Sequence, residues 1–355
     1  MKNRRCFVKN MLAGSVLPFM NPLSLLAQSN KKETKNFADQ WQFIGPSIQE
    51  ADYHVWGASP IIDELGKVHL FAARWRKRHK VDPGWRSHSE IAHYISNNPE
   101  GPFQFSDVVL KGTGKNTWDK YGAHNPNIHK VGDEYVLLYI GNSDYAQPPH
   151  PANQCIGMAI AKNLNGPWKK VNVDGKILNP PTNKNYWNYN ARNGVNNPAL
   201  LPYNGGFLLY FKSNGYMMGL AVAESLTGPY VQLPFPVTRN NKTIEDGYAF
   251  LYKDKICMLT TDNHGILKKG GGILWKSDDG VNFSELEPGF KLINEYLPPG
   301  EIKNPVWHYG SKDLMKFERP QLLMINEKPA FLYLAGGCNI YGGDTTVNYV
   351  MKFLG

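Results

Sequence analysis

Cysteine is scarce, with four in 355 residues. Cys155, Cys257 and Cys338 each sit in an apolar, strand-like run and none stands at metal-ligand spacing, so neither a disulfide framework nor a zinc site is expected; they read as buried free thiols. No Gly-rich phosphate loop follows a strand and opens a helix, and Gly270 to Gly272 read as a hairpin turn, which argues against nucleotide binding. No apolar run is long and unbroken enough to span a membrane. Sustained helical periodicity is absent too, and short strands with turn residues on both sides leave the all-β class. The basic excess is mild, 39 Lys and Arg against 30 acids. It is scattered except for "RWRKRHK" (Arg74 to Lys80), which reads first as a solvated loop, with contact to nucleic acid or an acidic polysaccharide as the sharper alternative. No nucleic-acid partner is expected.

The N-terminus carries "NRRCFVKN", with Arg4 and Arg5 ahead of Phe7 and Lys9, and then a short apolar segment broken by Pro18, Asn21 and Pro22. This resembles a bacterial twin-arginine signal over residues 1–27, cut after Ala27, with an ordinary Sec signal as the alternative. A flexible linker is expected over 28–40, and a periplasmic or secreted location follows.

What the chain does contain is a repeat. Gly-Pro-aromatic triplets begin at Gly101, Gly166 and Gly228, roughly every 60 to 65 residues, and "DDGVNFSE" gives a looser copy at Gly280. Each follows an apolar strand, so the element reads as the hairpin between the third and fourth strands of a repeating unit. Units open at "ASPIIDELGKVHLFAAR", "HNPNIHKVGDEYVLLYIG", "NNPALLPYNGGFLLYFK", "EDGYAFLYKDKICMLTTD" and "ERPQLLMINEKPAFLYLAG". The fifth unit runs out after "NYVMKFLG", whereas "WQFIGPSI" (Trp41 to Ile48) looks like an outer strand with no inner ones before it. The two ends therefore complete one blade, which predicts a single five-bladed β-propeller over 41–355. A pair of β-sandwiches is the alternative.

In a propeller the starts of the first strands converge at one mouth of the central channel. Here those are Ala58-Ser59, His124-Asn125, Asn196-Asn197, Glu245-Asp246 and Glu318-Arg319. Carboxylates beside Asn, His and Arg suit a sugar, whose hydroxyls need donors and acceptors and whose cleavage needs an acid and a base. Trp56 and other aromatics nearby offer faces for stacking. Glu90 reads equally as a carboxylate partner at the first blade's mouth or as a salt bridge to Arg74 or Arg86.

The fivefold arrangement, with "SEIAHYISNNPEGPF", "HNPNIHKVGDEYVLLY", "EDGYAFLYKDKICML" and "ERPQLL", resembles five-bladed glycoside hydrolases of the family 43, family 32 and family 117 kinds. The resemblance implies an exported glycosidase, exo-acting on plant or algal oligosaccharides, with a pentose such as xylose or arabinofuranose as first substrate and anhydrogalactose as second. It implies a base at the first blade, where "WGASP" places Ser59, and a carboxylate at the third, where Asn197 stands. Glu245 and Asp246 fall at the acid-bearing blade, and His308, just ahead of the fifth, matches the family 117 acid. The catalytic set is thus Asp246, Glu245, His308 and Glu318, and the substrate-binding set Trp56, Ser59, Glu90, His124, Asn125, Asn197 and Arg319. No cofactor is required, although His124 and the channel admit a structural Ca²⁺. The departures at Ser59 and Asn197 leave a second function open, a carbohydrate-binding propeller that has lost hydrolysis.

Overall fold

The computed structural model describes residues 35–143, 154–189, 191, 193–214, 217–298, 300–303, 315–337, 340 and 345–355. The signal segment, Cys338 and His308 lie outside them. Among the described residues no helix is long and apolar enough to cross a membrane.

Among the described residues twenty-one strands form five antiparallel sheets. Strand β1 (Trp41–Ile48) comes first in the chain, and blade one follows as β2 (Tyr53–Ile62), β3 (Val68–Arg76), β4 (Glu90–Ser96) and β5 (Gln104–Lys111). Blade two is β6 (Gly122–Val131), β7 (Glu134–Asn142), β8 (Gln154–Ala161), β9 (Lys169–Lys170) and β10 (Lys176–Leu178). Blade three is β11 (Val195–Tyr203), β12 (Gly206–Ser213), β13 (Met217–Ala223) and β14 (Val231–Gln232), and blade four β15 (Ile244–Tyr252), β16 (Lys255–Asp262), β17 (Gly272–Ser277) and β18 (Glu285–Phe290). Blade five is β19 (Phe317–Ile325), β20 (Lys328–Gly336) and β21 (Val347–Phe353), completed by β1, which pairs antiparallel with β21 from Trp41 opposite Phe353 to Ile48 opposite Asn348. The predicted closure by the chain ends is what the structure shows, with β1 filling the outer position of the last blade.

The inner strands β2, β6, β11, β15 and β19 neighbour one another in cyclic order. Each gap between adjacent blades holds its own hydrophobic core, such as Val136, Leu138, Leu209 and Phe211 between blades two and three. Strands here are buried on both faces and read as near-continuous apolar runs, because each sheet is covered by a sheet on either side. The Gly-Pro turns fall between third and fourth strands as expected. Gly101, Gly166 and Gly228 have φ of 95°, 85° and 92°, in the region that favours glycine, and their bonds to the following proline are cis.

One sequence expectation needs correction. The linker ends earlier than residue 40: Phe37–Gln40 form a 3-10 helix, with Phe37 buried against Trp41, Phe250 and Tyr252. A short helix, α1 (Val81–Ser87), interrupts blade one between β3 and β4. Its seven residues contain Pro83 and Gly84, too short and too broken to leave a helical period in the sequence.

Candidate active site

Every inner strand carries the same irregularity near its start. The β2/β3 register slips between Trp56 and Ser59, β6/β7 between His124 and Asn127, β11/β12 between Asn196 and Ala199, β15/β16 between Glu245 and Tyr248, and β19/β20 between Glu318 and Gln321. These are β-bulges, which bend a strand and re-aim side chains. In each bulge one residue has positive φ: Gly57, Asn125, Asn197, Asp246 and Arg319. Asn and Asp tolerate this region, whereas an Arg at φ 52° is strained, a condition that tends to persist only where surrounding structure holds it for a purpose.

That register corrects the first blade. Alignment on the prolines puts Ser59 in the ring with Asn125, Asn197, Asp246 and Arg319; the bulges put Gly57 there instead. A Cβ at Gly57 would lie 2.6 Å from Cγ of Arg319, so the position is glycine because the Arg319 side chain crosses it. Ser59 belongs one layer deeper with Asn127 and Gln321. Its hydroxyl donates to Oε1 of Gln321 (2.9 Å) and accepts from the Ile128 amide (3.1 Å), while Asn127 Nδ2 donates to the same Oε1 (3.1 Å). Ser59 is fully buried and does not line the cavity above.

That cavity, about 320 Å³, opens at the mouth of the channel and brings together Trp56, His124, Asn125, Asn197, Glu245, Asp246 and Glu318 from the predicted set. Arg319 lies beneath its floor, completely buried. One of its terminal nitrogens donates to the carbonyls of Asn125 (3.1 Å) and Pro126 (3.2 Å), and its Nε and Nη1 have no partner among the described residues. Burial pulls this guanidinium down to about 10, and Asp246 opposes the shift. Glu90 is elsewhere: its carboxylate accepts from Arg74 Nε (3.0 Å), while Nη1 of the same arginine donates to Glu50 (3.0 Å), so of its two readings the structure shows the salt bridge. Asp262, buried at the end of β16, accepts four backbone amides of the following loop at 2.7 to 3.0 Å and is a turn cap.

Sequence reasoning missed the cations. Lys212 on β12 forms an ion pair with Glu245, and Lys316 forms one with Glu318. The crowding of carboxylates expected from the inner strands is therefore interleaved with positive charge. Burial is the main influence on Lys212 and lowers its ammonium to about 8, against the pull of Asp246 and Glu318. Glu318 shifts the other way: burial raises its carboxyl, Asp246 adds to the rise, and Lys316 counters it. Lys212 was invisible because it lies on a second strand, opposite Asn196 in the ladder; its signal is a lone Lys in the apolar run "GFLLYFKS". Trp85, Arg86 and Asp82 of α1 and Trp75 at the end of β3 close one wall.

His124 is fixed in one tautomer by its neighbour. Ser89 has a single hydroxyl hydrogen and donates it to the Ala123 carbonyl (2.8 Å), so at 2.9 Å from Nδ1 of His124 it must accept. Nδ1 carries the proton and Nε2 is a bare acceptor. The ring stays neutral, because burial first and then Arg319 and Arg86 push it down to about 3. Trp85 and Trp75 hold it at centroid distances of 5.0 and 5.8 Å. Asn125 Nδ2 donates to Asn197 Oδ1 (2.8 Å) and Asn196 Nδ2 to Gln154 Oε1 (2.8 Å), so amides line the opposite wall.

Among the described residues no three His, Cys, Asp or Glu side chains converge on a metal position. The deeper channel holds amides and a hydroxyl bonded to one another, with Arg319 above them.

No protein-family model and no curated protein matches the sequence. Solved structures do match in shape. A family 117 glycoside hydrolase of the marine bacterium Zobellia galactanivorans superposes with a TM-score of 0.63 at 15% identity, covering 88% of this chain and 90% of its own. A family 43 β-xylosidase/α-arabinofuranosidase from a compost microbial metagenome, in complex with xylotriose, gives 0.57 at 11%, covering 89% and 94%. A family 43 enzyme of Xanthomonas citri, also with xylotriose, gives 0.53 at 11%, covering 86% and 88%. In fold, then, the chain is similar to the five-bladed β-propellers of glycoside hydrolases.

Proposed function

We propose that the protein is an exported glycoside hydrolase acting on oligosaccharides of plant or algal polysaccharides. The observation that carries this reading is the convergence of two carboxyl groups, Glu318 and Asp246, in one cavity. Glu318 is held toward its neutral form by burial, and Asp246 has the buried Arg319 as counter-ion. Glu318 is then the acid that protonates the leaving oxygen, and Asp246 the carboxylate that activates water or attacks the anomeric carbon. Lys212 and Lys316 keep Glu245 and Glu318 in place, and the bare Nε2 of His124 accepts a hydroxyl of the bound sugar. Trp56 and Trp85 offer apolar faces at the rim. A cavity of this size fits a terminal residue better than a run of sugars, which supports exo action, with a pentose as first candidate and anhydrogalactose as second. Export through the twin-arginine or Sec route to the periplasm or beyond fits the N-terminal sequence. His308, outside the described residues, stays in the proposal as a second acid.

Loss of hydrolysis with retained binding is the second reading, favoured by Gly57 in the ring position of the first blade. Incubation with aryl glycosides and with plant and algal oligosaccharides separates the two. Released monosaccharide supports the hydrolase; binding to an oligosaccharide without release from any of them supports the lectin-like protein.

A further inference from the structure

Beyond the paired Arg74, the basic stretch at the end of β3 is not a neutralised surface. Arg76, Lys77, Arg78 and Lys80 form no ion pair with any described residue. Arg76 instead lies over the Tyr53 ring at 4.5 Å, and Arg78 Nε donates to His79 (3.2 Å). The nearest acids are otherwise engaged or unpaired with them: Asp82 faces Arg86 at 3.7 Å, and Asp52 holds the Lys77 amide through its main-chain carbonyl. The stretch is folded onto the cavity wall. His79 stacks on His88 at 3.6 Å, and the Lys80 carbonyl accepts the Gly84 amide of α1, whose Asp82, Trp85 and Arg86 line the cavity. The next rim loop adds Lys115 and Lys120, and it sits close by: a Cβ at Gly122 would lie 3.1 Å from the Arg86 carbonyl.

Six cations thus lie on the two segments that flank this wall, none of them lining the cavity itself. Exposed cations without partners contribute little to stability, and clustering them costs self-repulsion. Their arrangement beside the cavity has a function only if something negative arrives there. We infer that the substrate is an anionic oligosaccharide, bearing uronate carboxylates or sulfate esters, whose charged residues beyond the cleaved unit rest on this arc. The inference rests on the glycoside hydrolase reading and adds the substrate's charge to it. The charges inside the cavity are nearly balanced between Lys212, Lys316 and Arg86 and the acids Glu245, Asp246, Glu318 and Asp82, so the reacting residue itself can be neutral.

The test is titration calorimetry of the full chain with three ligands of similar length: oligogalacturonides, sulfated galactan oligosaccharides and neutral xylo-oligosaccharides. Binding of one anionic class at least about tenfold tighter than the neutral class, weakening by about tenfold between low salt and 0.5 M NaCl, is expected. Which of the two classes binds identifies the anion. The combined Arg76→Ser, Lys77→Ser, Arg78→Ser and Lys80→Ser variant should lose most of that preference. Should that variant not fold, Lys115→Ser with Lys120→Ser is expected to lose part of it. Equal, salt-insensitive binding of neutral and anionic ligands overturns the inference while leaving the hydrolase intact, since sugar release is scored separately. Binding of duplex DNA as tightly as either anionic oligosaccharide also overturns it, because the arc would then read charge alone.

Discussion

Replacing Lys212 by methionine should raise stability and abolish most activity. The side chain is buried, and its ammonium titrates at about 8 instead of the ordinary 10.5. A lysine whose folded pKa is depressed is destabilising while protonated. The shift of 10.5 to about 8 corresponds to roughly 3 kcal/mol of penalty at neutral pH. Methionine fills similar space with no charge to desolvate, but it removes only one partner of the ion pair and leaves the Glu245 carboxylate uncompensated. The Glu245 side chain is 31% exposed, so water recovers part of that loss and about 1 to 2 kcal/mol remains. The balance is a gain of about 1 to 2 kcal/mol, a rise of a few degrees in Tm. The sign has its own check. The penalty on the native lysine is full below pH 8 and fades as pH rises from about 8 toward 10.5, so the stability gap between variant and parent narrows over that window. Activity should fall by about a hundredfold or more, because Asp246 and Glu318 both interact with Lys212 and would lose the cation between them. Thermal melts at pH 7 and pH 9.5 with kinetics on the same preparations decide it. A variant that melts more than about 5 °C below the parent, with its turnover number intact, refutes the reasoning.

Other outcomes follow from the same geometry. Glu318→Gln and Asp246→Asn should each lower kcat by at least about a hundredfold without loss of fold, as judged by circular dichroism, and His308→Ala tests the second acid in the same assay. Gly57→Ala should destabilise by about 1 to 3 kcal/mol in urea titrations, since it combines φ of 60° with a 2.6 Å approach to Arg319; a neutral effect would mean that Arg319 does not cross there. His93 and His124 are buried and neutral, each held down to about 3. The unfolded chain binds their protons below about 6.5, so stability falls by about 2 kcal/mol per histidine between pH 7 and 5, and flat urea midpoints over that range would contradict it. Nitrogen-15 spectra should show His124 as the Nδ1-protonated tautomer, unchanged down to pH 5; a Ser89→Ala variant should disturb it.

The architecture was legible because a propeller repeats its signals. Gly-Pro turns marked the hairpins, and the mismatch between Trp41–Ile48 and the short fifth unit gave the closure. The ring of strand starts was legible as well, since polar pairs opening apolar runs stand out. Its register in blade one was not. Proline alignment pointed to Ser59, but a β-bulge counts residues by backbone twist, and only the packing of Arg319 across Gly57 reveals which residue takes the left-handed position. Lys212 escaped because its partner Glu245 comes from the next blade, with no local spacing to betray an ion pair, whereas Lys316 stands only two residues before Glu318 and its pairing was passed over. Trp85 and Arg86 escaped because α1 is shorter than two helical turns.

The central claim is that Asp246 and Glu318 cleave a glycosidic bond in the channel-mouth cavity. Its most direct test is monosaccharide release from anionic and neutral oligosaccharides by the parent protein beside Asp246→Asn and Glu318→Gln, with each variant's binding measured in parallel. The account predicts release by the parent and loss of release, with binding retained, in both variants. Release that survives both substitutions in folded protein, or oligosaccharide binding by the parent with no release at all, contradicts it.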